Sequence, residues 1–80
     1  MRLSDTEVDT IIKNANNDVV NSQGSLRFGQ SLWNATIDFI SNNKTETERN
    51  DLEKVRGSDI DPFYNDAKVQ AFLNYLQDIA

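Results

Sequence analysis

The 80-residue sequence contains neither cysteine nor histidine. Without cysteine there can be no disulfide bond and no thiolate, and without either residue type the usual zinc ligands are missing. A metal ion would have to be held by carboxylate, amide or carbonyl oxygens, which bind hard ions. The commonest nucleophile–base pairs are also excluded, and no other paired arrangement stands out. We therefore predict that the protein is not an enzyme and carries no cofactor.

The chain also lacks long apolar runs and an excess of positive charge. No run approaches the 18 apolar residues expected of a membrane span, and the polar N-terminal residues do not resemble a secretory signal. The formal net charge of −5 argues against binding to nucleic-acid phosphates or to an anionic membrane surface. We expect a cytoplasmic protein (in the host cytoplasm if it is phage-encoded) that binds neither nucleic acid nor membrane.

The sequence also lacks the alternation of apolar and polar residues with a period of two that is typical of strands. Apolar residues instead recur at helical spacing along most of the chain. This pattern predicts an all-α fold, a small bundle of three main helices plus one short helix, in a single domain over residues 1–80. The core unit is expected at about 25–80 and the N-terminal helix at about 4–22. Ser4 and Glu7 form a capping-box pattern at the start of that helix, and Gly24 supplies its end.

Two further helices are predicted after the central one. The sequence from Thr45 to Glu48 repeats the capping-box pattern and predicts a short helix from Glu46 to about Val55. The last helix is predicted to begin after a cap at Asn65 or Asp66 and to run to about 78. Its apolar stripe consists of Val69, Phe72, Leu73, Leu76 and Ile79.

The central helix is predicted to start after a cap at Ser25 and to run to about residue 41. Its apolar residues cover an arc of roughly 200°, about twice that of an ordinary surface helix. Gly29 lies near the middle of this arc, which predicts close approach by another backbone or a large ring. Two partner helices can hardly cover so wide an arc. We therefore expect part of Trp33, Phe39 or Ile40 to be exposed, as a surface for homo-oligomer formation or docking.

The segment 57–65 is the most unusual part of the sequence and contains the single proline, Pro62. Because proline fixes its own φ and favours an extended residue before it, an ordered turn is expected. We predict that Ile60, Phe63 and Tyr64 fold back from this turn onto the core.

Acidic residues in the same segment raise the question of a calcium site. Counted from Asp59, the EF-hand pattern requires Gly at the sixth position and Glu at the twelfth, which are Tyr64 and Gln70 here. The pattern fails, and we predict no metal site. Asp59 and Asp61 are instead expected to accept hydrogen bonds from backbone N–H groups of the turn.

A row of polar residues follows the central helix at i, i+3 and i+4 spacing: Arg27, Gln30, Asn34 and Asp38. The row has two interpretations, a partner-binding surface or a solvated face with local pairs. Arg27 is expected to pair with Asp59 or Asp61, because a guanidinium matches the geometry of a carboxylate.

Two stretches taken together resemble a pattern that recurs in short proteins of bacteria and their phages. The first is Arg-Phe-Gly-Gln at 27–30, followed by Leu32 and Asn34, and the second is the run from Val55 to Tyr64 with Asp-Pro-Phe-Tyr at its end. Phe72-Leu73 also belongs to the pattern, which covers roughly residues 26–76 and leaves the first helix outside it. The resemblance carries no established activity and no site residues. It implies that the central helix and the Asp-Pro turn form one unit.

These observations favour a small acidic interaction module, a phage-encoded or accessory regulator or inhibitor that binds another protein. The predicted binding residues are Arg27, Gln30, Trp33, Asn34, Asp38, Asp59, Asp61 and Tyr64. The alternative is an acidic inhibitor that mimics nucleic acid and occupies a DNA- or RNA-binding protein, with Asp59, Asp61 and Asp66 in contact.

Overall fold

The computed structural model of the protein describes residues 2–78. Four α-helices follow one another, and a short 3₁₀ turn (Asp66–Lys68) leads into the last of them. The helices are α1 (Asp5–Asn21), α2 (Phe28–Asn43), α3 (Glu46–Glu53) and α4 (Val69–Gln77). No strand occurs between residues 2 and 78, which confirms the predicted small all-α bundle. Ile79, predicted for the last apolar stripe, lies outside the described residues.

Local capping patterns identify the starts of the outer helices. At α1, the Ser4 hydroxyl accepts from Glu7 N at 3.1 Å and the Glu7 carboxylate accepts from Ser4 N at 2.9 Å. Thr45 is the N-cap of α3. Asn65 caps the 3₁₀ turn, because its side-chain oxygen accepts from Ala67 N at 2.9 Å. These caps were predicted, and each satisfies an N–H that has no partner within its helix.

The predicted start of the central helix is wrong. Ser25 does not cap α2, since its hydroxyl donates to the carbonyl oxygen of Ser22 at 2.9 Å. The residues after α1 reverse the chain with two positive φ angles, +57° at Gln23 and +88° at Gly24. Helix α2 begins only at Phe28, with Arg27 as an N-cap residue that provides no side-chain cap.

The two long helices, α1 and α2, run antiparallel and are joined at one end by an ion pair. Glu7 in the first turn of α1 lies 2.8 Å from Lys44, which follows α2. Its hydrogen bond with Lys44 is the main reason that the pKa of the Glu7 carboxyl is lowered, and a hydrogen bond from Ser4 N adds to the effect. At the other end of the chain, Leu3 N donates to the carbonyl oxygen of Leu76 at 2.8 Å and ties the N-terminal segment to α4.

One apolar core joins all four helices. Its buried members are Leu3, Val8, Ile11, Ala15, Leu32, Trp33, Ala35, Ile40, Leu52, Val55, Phe72 and Leu76. Trp33 retains 5% of its exposure and packs against Phe72, with ring centroids 5.6 Å apart.

The prediction that part of Trp33, Phe39 or Ile40 is exposed is therefore wrong for Trp33 and Ile40, which are buried, whereas Phe39 is half-buried. The wide apolar arc of α2 is covered by more than two helices, because α3 and the 3₁₀ turn also contact it. Homo-oligomer formation stays a prediction, now without this surface to support it. Within residues 2–78, no helix has both the length and the apolar character needed to cross a membrane.

Candidate functional site

A groove of about 480 Å³ lies where α2, the end of α3 and the Asp-Pro turn meet. We call it the α2–turn groove. Its lining residues come from three separate segments and are Trp33, Asn34, Ile37, Asp38, Glu53, Arg56 and Phe63. The α2 side of the groove therefore contains three of the residues that the sequence predicted for binding.

Asp61 organises the turn that forms one end of this groove. Its side chain is buried, and its two oxygens accept from Gly57 N at 2.7 Å and from Phe63 N at 2.8 Å. The bond to Gly57 is reached because that glycine has a φ of +79°, which L residues rarely adopt. Asp61 thus has the structural role predicted for it and presents no free carboxylate to a partner. The same prediction is wrong for Asp59, whose exposed carboxylate accepts no hydrogen bond within the described part of the chain.

The N-terminus of α2 is capped from the far end of the turn by Asp66. One of its carboxylate oxygens accepts from Gly29 N, in the first turn of α2, at a distance of 3.0 Å. The same oxygen lies 3.3 Å from the Arg27 guanidinium. A carboxylate at this position satisfies an unpaired N–H and complements the positive end of the helix dipole. A contact between residues 37 positions apart in the sequence therefore replaces the local cap that the sequence suggested at Ser25.

Arg27 binds the turn, but not through the acids that the sequence suggested. Its guanidinium donates to the carbonyl oxygen of Phe63 at 2.6 Å and to Asp66 at 3.3 Å. Pairing with Asp59 or Asp61 is wrong, because both oxygens of Asp61 are occupied by backbone N–H groups while Asp59 is solvated. Arg27 consequently joins the start of α2 to the turn, as the predicted single unit requires.

Gly29 explains how closely the turn approaches α2. A Cβ atom at this position would overlap the carbonyl oxygen of Pro62 and would lie 2.6 Å from the Asp66 carboxylate. Only a residue without a side chain leaves room for these groups. The predicted close approach to Gly29 is confirmed, and the approaching group is the backbone of the turn.

Tyr64 is displayed at the surface beside the groove. Its exposed fraction is 77%, and its ring contacts Phe63 edge-on with centroids 4.7 Å apart. The prediction that Tyr64 folds back onto the core is wrong, whereas Ile60 and Phe63 do pack against it. Hydrogen bonds hold the residues on both sides of Tyr64, so its exposed ring belongs to an ordered turn.

The remaining predicted site residues are divided between the groove and the surrounding surface. Asn34 and Asp38 are exposed on the α2 side of the groove, and Trp33 contributes an edge to it. Gln30 is half-buried and does not line the groove. The four residues of the polar row form no hydrogen bonds with one another within residues 2–78.

Sequence reasoning missed four lining residues: Ile37, Glu53, Arg56 and Phe63. Ile37 and Phe63 had been counted as core. Glu53 and Arg56 carry no local signal, because only the packing of α3 brings them opposite α2. Among residues 2–78, no three acidic side chains lie close enough together to hold a metal ion.

Comparisons with known proteins give no relative from which a role could be transferred: no family model, no curated protein and no solved structure matches the chain. The function must therefore be inferred from the site itself.

Proposed function

We propose that the protein is a non-catalytic interaction module that binds another protein through the α2–turn groove and Tyr64. The observation that carries this proposal is a large aromatic side chain, 77% exposed, on a turn whose backbone is fixed by Asp61 and Asp66. Aromatic residues dominate binding energy at protein interfaces, and a preorganised loop loses little conformational entropy on binding. A regulator or inhibitor in the cytoplasm, phage-encoded or accessory, is the biological role that we propose for such a module.

The groove indicates the chemistry of the partner. Its apolar surface comes from Ile37, Phe63 and the edge of Trp33, which suits an apolar side chain of the partner. Asp38 and Glu53 outnumber the single basic residue of the groove, Arg56, and the whole chain carries a net charge of −5. A partner that presents a basic residue next to its apolar side chain would be complementary, and its approach would be accelerated by the field of the protein.

Photo-crosslinking within the cells that produce the protein tests this proposal. Benzoylphenylalanine placed at position 64 or at position 34 should give the same covalent adduct with one partner protein. The matched control is position 20, since Val20 is 74% exposed and lines neither this groove nor any other described here. Adducts that appear equally at position 20, or none at both 64 and 34, would contradict the proposal.

The three acids named for nucleic-acid mimicry do not form a row of free charges. Asp61 is buried in the turn, and the exposed carboxylate of Asp66 is paired with Arg27, so Asp59 is the only one of the three without a partner within residues 2–78. A mimic would need several uncompensated acids at phosphate-like spacing, and its binding would weaken steeply with salt. We therefore favour binding through the groove over mimicry.

A further inference from the structure

A second groove, of about 570 Å³, lies on another side of α2, between it and α1. We call it the α1–α2 groove. The residues that line it are Thr10, Asn14, Asn17, Asp18, Ala35, Asp38, Phe39, Asn42 and Asn43. Its volume is within the range of known ligand sites, yet most of its lining side chains are polar and none is basic. Asp38 is the one residue that it shares with the α2–turn groove.

Asparagine is concentrated in this groove. Four of the ten asparagines in the sequence line it, and all four are helical, where asparagine is an unfavourable residue. Within residues 2–78, the side chains of Asn14, Asn17 and Asn42 form no hydrogen bonds. Asn43 uses only its amide nitrogen, which donates to the carbonyl oxygen of Phe39 at 2.9 Å.

The two carboxylates of the groove are equally uncommitted. Neither the Asp18 carboxylate nor the Asp38 carboxylate has a hydrogen-bond or ion-pair partner within the described part of the chain. The groove thus offers several unused donors and acceptors together with two negative charges. An anionic ligand would be repelled, and a ligand that carries a positive charge would be attracted.

The chemistry of these groups suits an extended peptide with basic side chains. A side-chain amide offers one acceptor and a donor pair, which suits the N–H and C=O of a peptide backbone. Asn14 and Asp18 on one wall, and Asp38 and Asn42 on the other, are four residues apart, a rise of about 6 Å. Each wall therefore places an amide and a carboxylate within reach of a single segment that lies along the groove.

We propose that the α1–α2 groove binds an extended peptide segment that contains lysine or arginine. The asparagine amides bind the main chain of the segment, and Asp18 and Asp38 bind its basic side chains. This site lies in a different groove from that of the proposed function and does not involve Tyr64. Because Asp38 lines both grooves, the test substitutions are made at Asp18 and Asn17, which line only this one.

Nuclear magnetic resonance titration of the full chain with the peptide acetyl-Ala-Lys-Ala-Lys-Ala-amide tests the proposal. The side-chain amide signals of Asn14, Asn17 and Asn42 should move, whereas that of Asn50, an exposed residue of α3, should not. The Asp18→Asn variant should raise the Kd about two- to fivefold, as expected for the loss of a solvent-exposed charged contact.

Asn17→Ala should also weaken binding of the peptide, with a melting temperature no lower than that of the original chain, because alanine is the better helix residue. This variant separates a loss of binding from a loss of folding. Equal shifts with the peptide in which both lysines are replaced by glutamate would overturn the proposal. Shifts produced by maltotriose, an uncharged sugar, but not by the peptide would also overturn it. The absence of any shift at about 10 mM peptide, a concentration that detects even weak binding, would overturn it as well.

Discussion

Replacing Trp33 by alanine should lower the free energy of unfolding by about 3–5 kcal/mol. Trp33 retains only 5% of its exposure, and its ring packs against Phe72 in the core. A chain of this length is expected to have a total stability of about 4–12 kcal/mol, so the variant should be close to unfolding. Urea denaturation followed by circular dichroism measures the effect without depending on the missing indole.

Trp33→Phe is the matched control for this variant. It keeps an aromatic ring beside Phe72 and should lose less than half as much stability as Trp33→Ala, since a smaller cavity remains. In the original chain, Trp33 fluorescence should shift to longer wavelength on unfolding, because the buried indole enters water. A loss below about 1 kcal/mol for Trp33→Ala would place the side chain at the surface.

Replacing Gly29 by alanine should lower the free energy of unfolding by about 2–4 kcal/mol. Helix propensity alone predicts the opposite sign, because alanine favours a helix over glycine by about 1 kcal/mol. The loss is expected because the new Cβ would overlap the Pro62 carbonyl and displace the Asp66 carboxylate from its place above the helix end. The sign of the change in the free energy of unfolding therefore shows whether helix propensity or long-range packing dominates at this position. Urea denaturation measures this free energy.

A double-mutant cycle with Asp66→Ala gives this result its control. Asp66→Ala alone should lose about 1 kcal/mol, the usual effect of removing a helix cap. In the Gly29→Ala background, the same substitution should lose much less, because the cap has already been displaced. Full additivity of the two substitutions would show that Asp66 does not cap α2.

The sequence predicted those features that depend on neighbouring residues. The capping box at Ser4, the cap at Asn65 and the four helices follow from patterns within a few positions of one another. Gly29 and Asp61 were also interpreted correctly. A glycine inside an apolar arc indicates a close approach, and an Asx residue before proline indicates a turn.

The errors concern contacts between distant segments. The cap of α2 is Asp66, which no pattern near Ser25 could reveal, and Arg27 pairs with the same distant residue. The exposure of Trp33 was overestimated because two helices were counted as its cover, whereas α3 and the turn also contact α2. The exposure of Tyr64 was missed because an aromatic residue near a turn is more often buried than displayed.

The central claim is that the turn and the start of α2 form one ordered unit that displays Tyr64. Native-state hydrogen exchange is the most direct test of this claim. The amides of Gly29, Gly57 and Phe63 donate to Asp66 or Asp61 and should exchange at least about a hundredfold more slowly than an unprotected amide. The amide of Tyr64, which has no acceptor within residues 2–78, should exchange rapidly. If Gly57 and Phe63 exchange as fast as Tyr64, the turn is not held and the account of the site is wrong.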